Sequence, residues 1–214
     1  MIKYKYGTNN YRFAEKLLNW FRYFEDIDSL TVLHKYINTD LYNKDTDQSS
    51  YFHKLFYKLP ELSSFFLSYR EFIINEIWER IYDKADILYQ TKPTIRFHYV
   101  NNLSVGEFHK DSDYNHSEYE VNFFVPLTFA YNTNTIWCES KPGLADFKSL
   151  DAKYGEFWQF NGANCMHGNK INNTDITRVS FDFRVLKRKY YVDDNKESVT
   201  NNMKFKIGEY WSEI

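Results

Sequence analysis

From Pro93 onward the chain alternates. In "TIRFHYV", "EVNFFVPLT", "NTIWCES", "GEFWQF" and "RVSFDFRV" apolar and polar residues take turns. A period of two places successive side chains on opposite faces of a strand. Gly, Asn and Pro separate these stretches, as turns between strands require. Before Pro93 the spacing is three to four. "NNYRFAEKLLNWFRYFEDI" sets Phe13, Leu17, Trp20, Phe21 and Phe24 along one side of a predicted helix, with Asn9 or Asn10 as its N-cap. "DSLTVLHKYI" predicts a short second helix, and the polar "NTDLYNKDTDQSS" a loop. "LSSFFLSYREFIINEIWERIYDKA" predicts a long amphipathic helix with Phe66, Tyr69, Ile73, Ile77 and Ile81 on one face.

Short strands spaced by turns imply a sandwich or barrel. The expected architecture is therefore α+β to mainly β, a helical layer on an antiparallel barrel or jelly roll. One domain spans 1–214: a mostly helical layer over 1–92, a β core over 93–187, and a tail or flap over 188–214. The tail is charged and Asn-rich from Lys189 until "MKFKIGEYW".

Composition narrows the function classes. With 43% hydrophobic and 26% charged residues the chain is an ordinary globular one. Aromatic residues reach 20%, an excess that a codon bias toward Lys, Asn and Ile also brings, so it carries little functional weight. The net charge of −2 gives no global basic field for nucleic acid. No apolar run approaches the roughly 20 residues of a membrane span, and "MIKYKYGTNNY" lacks the apolar core of a signal peptide. Cys138 and Cys165, the two cysteines, make no disulfide framework. A cytoplasmic protein of unknown oligomeric state, binding neither nucleic acid nor membrane, is the expectation.

The candidate chemistry begins in "FHKD". His109 and Asp111 stand two apart and, on a strand, would point to the same side, an imidazole and a carboxylate converging on a divalent metal. The best third ligand is His167 in "FNGANCMHGNK". Two histidines and one carboxylate with open positions is the arrangement of non-haem Fe(II) oxygenases. Arg178 follows in "TRVSFDFRV", with Ser180 on the same strand face. An arginine fork plus a hydroxyl suits a dicarboxylate cosubstrate; a salt bridge from Arg178 to Asp175 or Asp182 is the plainer alternative.

With these residues in view, "FHKD…MHGNKINNTDITRVSFDFRV" resembles the iron(II)/2-oxoglutarate-dependent oxygenases, with HxD, distal His and RxS in order. "HKDSDYNHSEYEVNFFVPLT", "NTIWCES", "FNGANCMHGN" and "TRVSFDFRV" resemble more narrowly a bacterial subfamily from streptomycin-type antibiotic and cell-surface carbohydrate gene clusters. The resemblance covers about residues 93–187. It implies a double-stranded β-helix (a cupin-like jelly roll) and Fe(II) on His109, Asp111 and His167. It further implies 2-oxoglutarate on Arg178 and Ser180, and O2 as oxidant. The activity it implies is hydroxylation, or another oxidation, of a sugar- or aminoglycoside-related molecule with release of succinate and CO2.

Further positions carry weaker expectations. Asn122 in "EVNFF" could hydrogen-bond the cosubstrate or be a satisfied polar group of the barrel. Trp137 and Glu139 in "IWCES" share a parity and could form a substrate platform, although Trp137 suits core packing equally well. Arg96 and Arg184 could reach the cavity or pair with surface acids. Asp113 and His116 are expected at the rim, and Cys165 as a small buried hydrophobe. Gly162 and Gly168 are expected to relieve turns around His167. Two other classes share the barrel: a cupin-like sugar-nucleotide isomerase or epimerase with His109 as base, and a non-catalytic carbohydrate-binding barrel. The isomerase has no need of Arg178 and Ser180 at this spacing, and both classes predict no iron dependence.

Overall fold

The computed structural model describes residues 1–37, 46–105, 107–193, 195–198 and 203–214. Residues 38–45 of the expected loop and Gly106 fall outside them. The strands are β1 (Ile2–Lys5), β2 (Ile87–Gln90), β3 (Thr94–His98), β4 (Val121–Pro126), β5 (Ile136–Cys138), β6 (Lys148–Ser149), β7 (Glu156–Phe160), β8 (His167–Asn169), β9 (Arg178–Lys187) and β10 (Trp211–Glu213). The α-helices are α1 (Thr8–Tyr11), α2 (Phe13–Arg22), α3 (Tyr51–Phe56) and α4 (Ser64–Phe72).

A large antiparallel sheet runs β1-β7-β4-β9-β2-β10. Its spine is β9. One edge of β9 pairs with β4, and the other with β3 over Arg178–Asp182 and with β2 over Val185–Lys187. A smaller sheet, β6-β5-β8, is extended by an isolated bridge from His109 to His167.

Alternation assigns the faces of the large sheet. Ile95, Phe97, Phe123, Val125, Val179, Phe181, Phe183 and Val185 join one buried core with Phe13, Leu17, Phe21, Phe65, Tyr69 and Phe72 of the helices. Phe13 meets Phe181 with ring centroids 5.0 Å apart, edge to face. The intervening residues Arg96, Asn122, Arg178, Asp182 and Arg184 turn to the opposite face, toward β5 and β8. A second, smaller core of Phe124, Ala130, Cys138, Leu150, Phe160 and Cys165 joins the two sheets. Both cysteines are free and buried.

The helical layer departs from expectation in detail. The first predicted helix is two helices, broken at Arg12, which adopts the left-handed conformation at φ 52°. Asn9 and Asn10 lie inside α1, whose N-cap is Gly7. Phe24 lies beyond α2 and is exposed. "DSLTVLHKYI" forms a 3-10 turn over Leu30–Lys35. The long helix runs through α4 into a wider π-type stretch, Ile73–Glu79. Its buried face holds Phe65, Tyr69, Phe72, Ile73 and Ile77, with Phe66 and Ile81 at the margin. No described helix is long and apolar enough to cross a membrane.

The expected tail ends in a strand. β10 pairs antiparallel with β2, Trp211 opposite Gln90, at one edge of the large sheet. Leu88, Leu186, Phe205, Tyr210 and Trp211 pack as a third apolar cluster that fastens it there.

Candidate functional site

A pocket between the sheets gathers most of the polar residues singled out from the sequence. Arg96, His109, Asp111, Asn122, His167, Asn169, Arg178, Asp182 and Arg184 line it, closed by Val105, Ile136, Phe160 and Gly168.

His109 and His167 are brought together by reciprocal backbone bonds, each N–H donating to the other's carbonyl at 2.9 Å. The ring centroids lie 4.7 Å apart. Each Nδ1 donates to the carbonyl two residues earlier, His109 to Glu107 (3.0 Å) and His167 to Cys165 (3.1 Å). That fixes the tautomer and leaves both Nε2 lone pairs free. Both Nε2 atoms stand 3.6 Å from Asp111 Oδ1. The three donor groups lie within 4.8 Å of one another, a spacing able to hold a metal ion. Ligands about 2.0–2.2 Å from a common ion need separations of this order, so the donor set fits a divalent transition metal.

Asp111 reaches this position by a route the sequence pattern did not suggest. It opens a 3-10 turn, Asp111–Tyr114, rather than continuing a strand. Its N–H donates to Gly162 O at 3.0 Å, so the loop before β8 fixes it. Gly162 and Gly168 matter through close approach rather than through turns, for neither has a positive φ. A Cβ on Gly162 would stand 2.8 Å from the Asn122 amide, and one on Gly168 3.0 Å from the Phe108 ring.

The two carboxylate oxygens of Asp111 have different partners. Oδ2 accepts from Asn122 Nδ2 (2.6 Å) and Arg184 Nε (2.8 Å), while Oδ1 faces the histidines. Burial opposes the charge, but Arg184 with His109 and His167 outweighs it and holds the Asp111 carboxyl well below the usual range. Burial likewise lowers His167, whereas the Asp111 carboxylate outweighs burial at His109 and raises it. Among the described residues the buried Asn122 Oδ1 has no hydrogen-bond partner.

Arg178 is fully buried on the pocket face of β9. Its Nε donates to Asn134 O (2.8 Å), Nη1 to Ser180 Oγ, and Nη2 to Asn169 Oδ1 (3.1 Å) and His98 Nδ1 (3.3 Å). Among the described residues no carboxylate lies within 4.0 Å of it. Asp175 accepts from Tyr131, and Asp182 sits 3.9 Å from both Arg96 and Arg184. The salt bridge offered as the plainer alternative is absent. Burial without a close counter-ion brings the Arg178 guanidinium down to about 10.

The remaining candidates divide. Arg96 lines the pocket, held by Asp47 at 3.3 Å. Trp137 and Glu139 stand apart from it. Trp137 lies under Lys170 Nζ, 3.2 Å from the ring centre, and donates to Asn132 O. Glu139 accepts the N–H groups of Met166, Gly143 and Ala145, so it braces the loop before His167. His116 pairs with Glu120 at 2.8 Å, and Asp113 is exposed beside Lys110. Asn169, His98 and Asn134 are contributors the pattern reading missed. Asn169 carried a signal, since "HGN" repeats the two-residue spacing of a shared strand face.

Comparison with known proteins bears on this site. No protein-family model matches the sequence. The streptomycin biosynthesis protein StrG of Streptomyces griseus is 36% identical over 191 residues, covering 89% of this chain and 87% of that protein. Among solved structures, the nickel complex of the non-heme monooxygenase ThoJ superposes with a TM-score of 0.51 at 12% identity. It covers 91% of this chain and 75% of that one, and the apo form gives the same values. At that identity the likeness is one of fold.

Proposed function

This chain belongs to the family of the streptomycin biosynthesis protein StrG, and we propose that it is a non-haem Fe(II)- and 2-oxoglutarate-dependent oxygenase. The observation that carries this reading is Arg178: a buried guanidinium with no close carboxylate among the described residues, opening on the pocket that holds the His-Asp-His cluster. A buried charge without a counter-ion is costly, and an anionic ligand would remove that cost. A dicarboxylate fits, with its distal carboxylate on Arg178 and Ser180 and its other end toward His109, Asp111 and His167. On this reading the two facing sheets are the halves of a double-stranded β-helix.

Fe(II) with 2-oxoglutarate and O2 supplies oxidation of a C–H bond, with release of succinate and CO2. The chain's own part is position. His109 and His167 present Nε2 because their Nδ1 protons are held by backbone carbonyls. Asp111 presents Oδ1 because Asn122 and Arg184 occupy Oδ2. Asn122 thus serves the cosubstrate pocket through the metal ligand.

The substrate would occupy an adjoining cavity of about 310 Å³ that shares Arg96 and Arg184 with the metal pocket. Its other walls include Gln48, His53, Tyr57 and Thr94, all able to hydrogen-bond. That lining supports a hydroxyl-bearing molecule, and a relative in streptomycin biosynthesis supports an aminoglycoside-related one. Hydroxylation is the proposed outcome. The test is incubation of anaerobically purified protein with Fe(II), 2-oxoglutarate and O2, followed by assay of succinate. Succinate formation, increased by aminoglycoside-type compounds, is expected. Absence of turnover together with absence of Fe(II) and 2-oxoglutarate binding would overturn the proposal.

A further inference from the structure

We propose that His116 is a substrate-binding residue: braced by Glu120, it presents its second ring nitrogen to the 310 Å³ cavity and there takes a hydroxyl group of the substrate. This contact would add specificity to the oxygenase proposed for the adjoining pocket, and it rests on that function.

His116 and Glu120 form a nearly buried pair, with side chains 7% and 2% exposed. His116 Nδ1 donates to Glu120 Oε2 at 2.8 Å, and Glu120 Oε1 accepts the Ser117 N–H at 2.9 Å. Both carboxylate oxygens are therefore engaged, and the proton of a neutral ring belongs on Nδ1. Phe205 packs on the imidazole with centroids 4.6 Å apart, and Tyr210 at 5.8 Å, which leaves the ring little room to turn. The His116 backbone N–H donates to Asp111 O at 3.4 Å, so its loop is tied to that of a metal-ligand candidate.

Nε2 has no hydrogen-bond partner among the described residues, yet it is not one of the polar atoms sealed in without a partner. It therefore opens on free space. His116 borders both the 310 Å³ cavity and a neighbouring hollow of about 330 Å³, whereas Glu120 borders only the second of these two. The two nitrogens of an imidazole point in divergent directions. With Nδ1 held on the Glu120 side, Nε2 is left for the cavity.

The chemistry of the walls favours a hydroxyl. No carboxylate lines this cavity among the described residues. Its Arg184 is engaged from behind by three acids, with Nε 2.8 Å from Asp111 and 3.8 Å from Glu120, and Nη1 3.9 Å from Asp182. Arg96 is likewise held between Asp47 at 3.3 Å and Asp182 at 3.9 Å. Both guanidiniums can only donate, so an acceptor must come from another wall. Nε2 supplies one when the ring is neutral and becomes a donor when it is protonated. A hydroxyl bonds to either form, whereas an ammonium group suits only the first and an anion only the second. A site that bonds a substrate hydroxyl also rejects analogues lacking it, because its own polar group is then left unpaired.

The experiment is calorimetric titration of streptomycin and of myo-inositol, two hydroxyl-rich ring compounds, into the full-length chain holding Zn(II) and 2-oxoglutarate. The wild type is expected to bind at least one. His116→Phe fills the same place against Phe205 and Tyr210 without a ring nitrogen. Affinity for that probe is expected to fall about tenfold, the effect of a hydroxyl left unpaired. His116→Gln, whose amide extends to the place of Nε2, is expected to recover most of the loss. Affinities for Zn(II) and 2-oxoglutarate are expected to stay at the wild-type level in both variants; a role confined to holding the Asp111 loop would lower them instead. Should His116→Phe fail to fold, diethyl pyrocarbonate labelling of His116 in the wild type, mapped by mass spectrometry, reads the same nitrogen, and bound probe is expected to block it. Unchanged probe affinity in His116→Phe, a matching loss of metal affinity, or labelling that the probe does not block overturns the inference and leaves the proposed function standing. So does a wild type that holds metal and 2-oxoglutarate but binds neither probe. A chain that holds neither metal nor 2-oxoglutarate overturns both.

Discussion

Asn169 Oδ1 accepts from Arg178 Nη2 at 3.1 Å, and Asn169 stands two residues beyond His167 on β8. Residues two apart on a strand share a face. One short strand thereby fixes both a metal-ligand candidate and the orientation of the buried guanidinium. The distance between the metal and the far carboxylate of a cosubstrate would be set by backbone geometry rather than by flexible side chains.

Replacing the guanidinium by a point charge separates its geometry from its charge. Arg178→Lys is expected to weaken 2-oxoglutarate binding by roughly 10–100-fold, the equivalent of about 1.5–3 kcal/mol for charge-assisted hydrogen bonds. Metal binding should be nearly unchanged, because no metal-ligand candidate touches Arg178. Calorimetric titration of 2-oxoglutarate into the Ni(II)-loaded variant measures the effect; unaltered affinity would count against Arg178 as the carboxylate site.

Close approach at Gly162 gives a second test. The Cβ added by Gly162→Ala would stand 2.8 Å from Asn122, which donates to Asp111. Overpacking of this kind costs about 1–3 kcal/mol. Both a lower unfolding temperature and weaker metal binding are expected, whereas Gly7→Ala, exposed and meeting only the Asn10 side chain, should leave metal binding alone. Equal metal affinity for both variants would contradict the arrangement.

Much of this geometry was legible in the chain. Alternation in "TIRFH", "VNFFV" and "RVSFDFRV" separates the helix-facing residues from the pocket-facing ones, because a sheet covered on both sides still has one wet, functional interior. The spacing of "FHKD" singles out His109 and Asp111, whose donor groups the structure brings together with His167, but not by the shared strand face it suggested, since Asp111 starts a 3-10 turn. Backbone bonds from a loop fifty residues away set its direction, and no local pattern encodes those. β1, β2 and β10 were missed because each is only three or four residues long and is stabilised by pairing rather than by periodicity. Arg12 likewise breaks the first helix through its left-handed backbone, which its apolar neighbours Phe13 and Leu17 do not announce. Trp137 and Glu139 share a strand parity, yet the short β5 aims them at Lys170 and at backbone N–H groups.

A pH dependence follows from His98. Its Nε2 donates to Asn102 O at 2.8 Å and its Nδ1 receives Arg178, so the neutral ring is the one that fits. Burial, with Arg178 beside it, lowers its pKa to about 3. The folded state therefore binds fewer protons than the unfolded chain between about pH 6.5 and about pH 3. His98 contributes full stability above pH 6.5 and loses it as the pH falls through that window. The loss between pH 7 and pH 5 is expected to be about 2 kcal/mol. Urea unfolding at both values, compared with His98→Gln, isolates it; an identical pH dependence in the two proteins would contradict this assignment.

The central claim is that one pocket holds a divalent metal on His109, Asp111 and His167 and a 2-oxoglutarate on Arg178. Anaerobic equilibrium dialysis with Fe(II) and labelled 2-oxoglutarate tests it most directly. Retention of one of each per chain is expected, with 2-oxoglutarate held only when metal is present, and with metal lost in His109→Ala while the fold persists. Failure of the wild-type chain to retain 2-oxoglutarate in the presence of bound Fe(II) would contradict it.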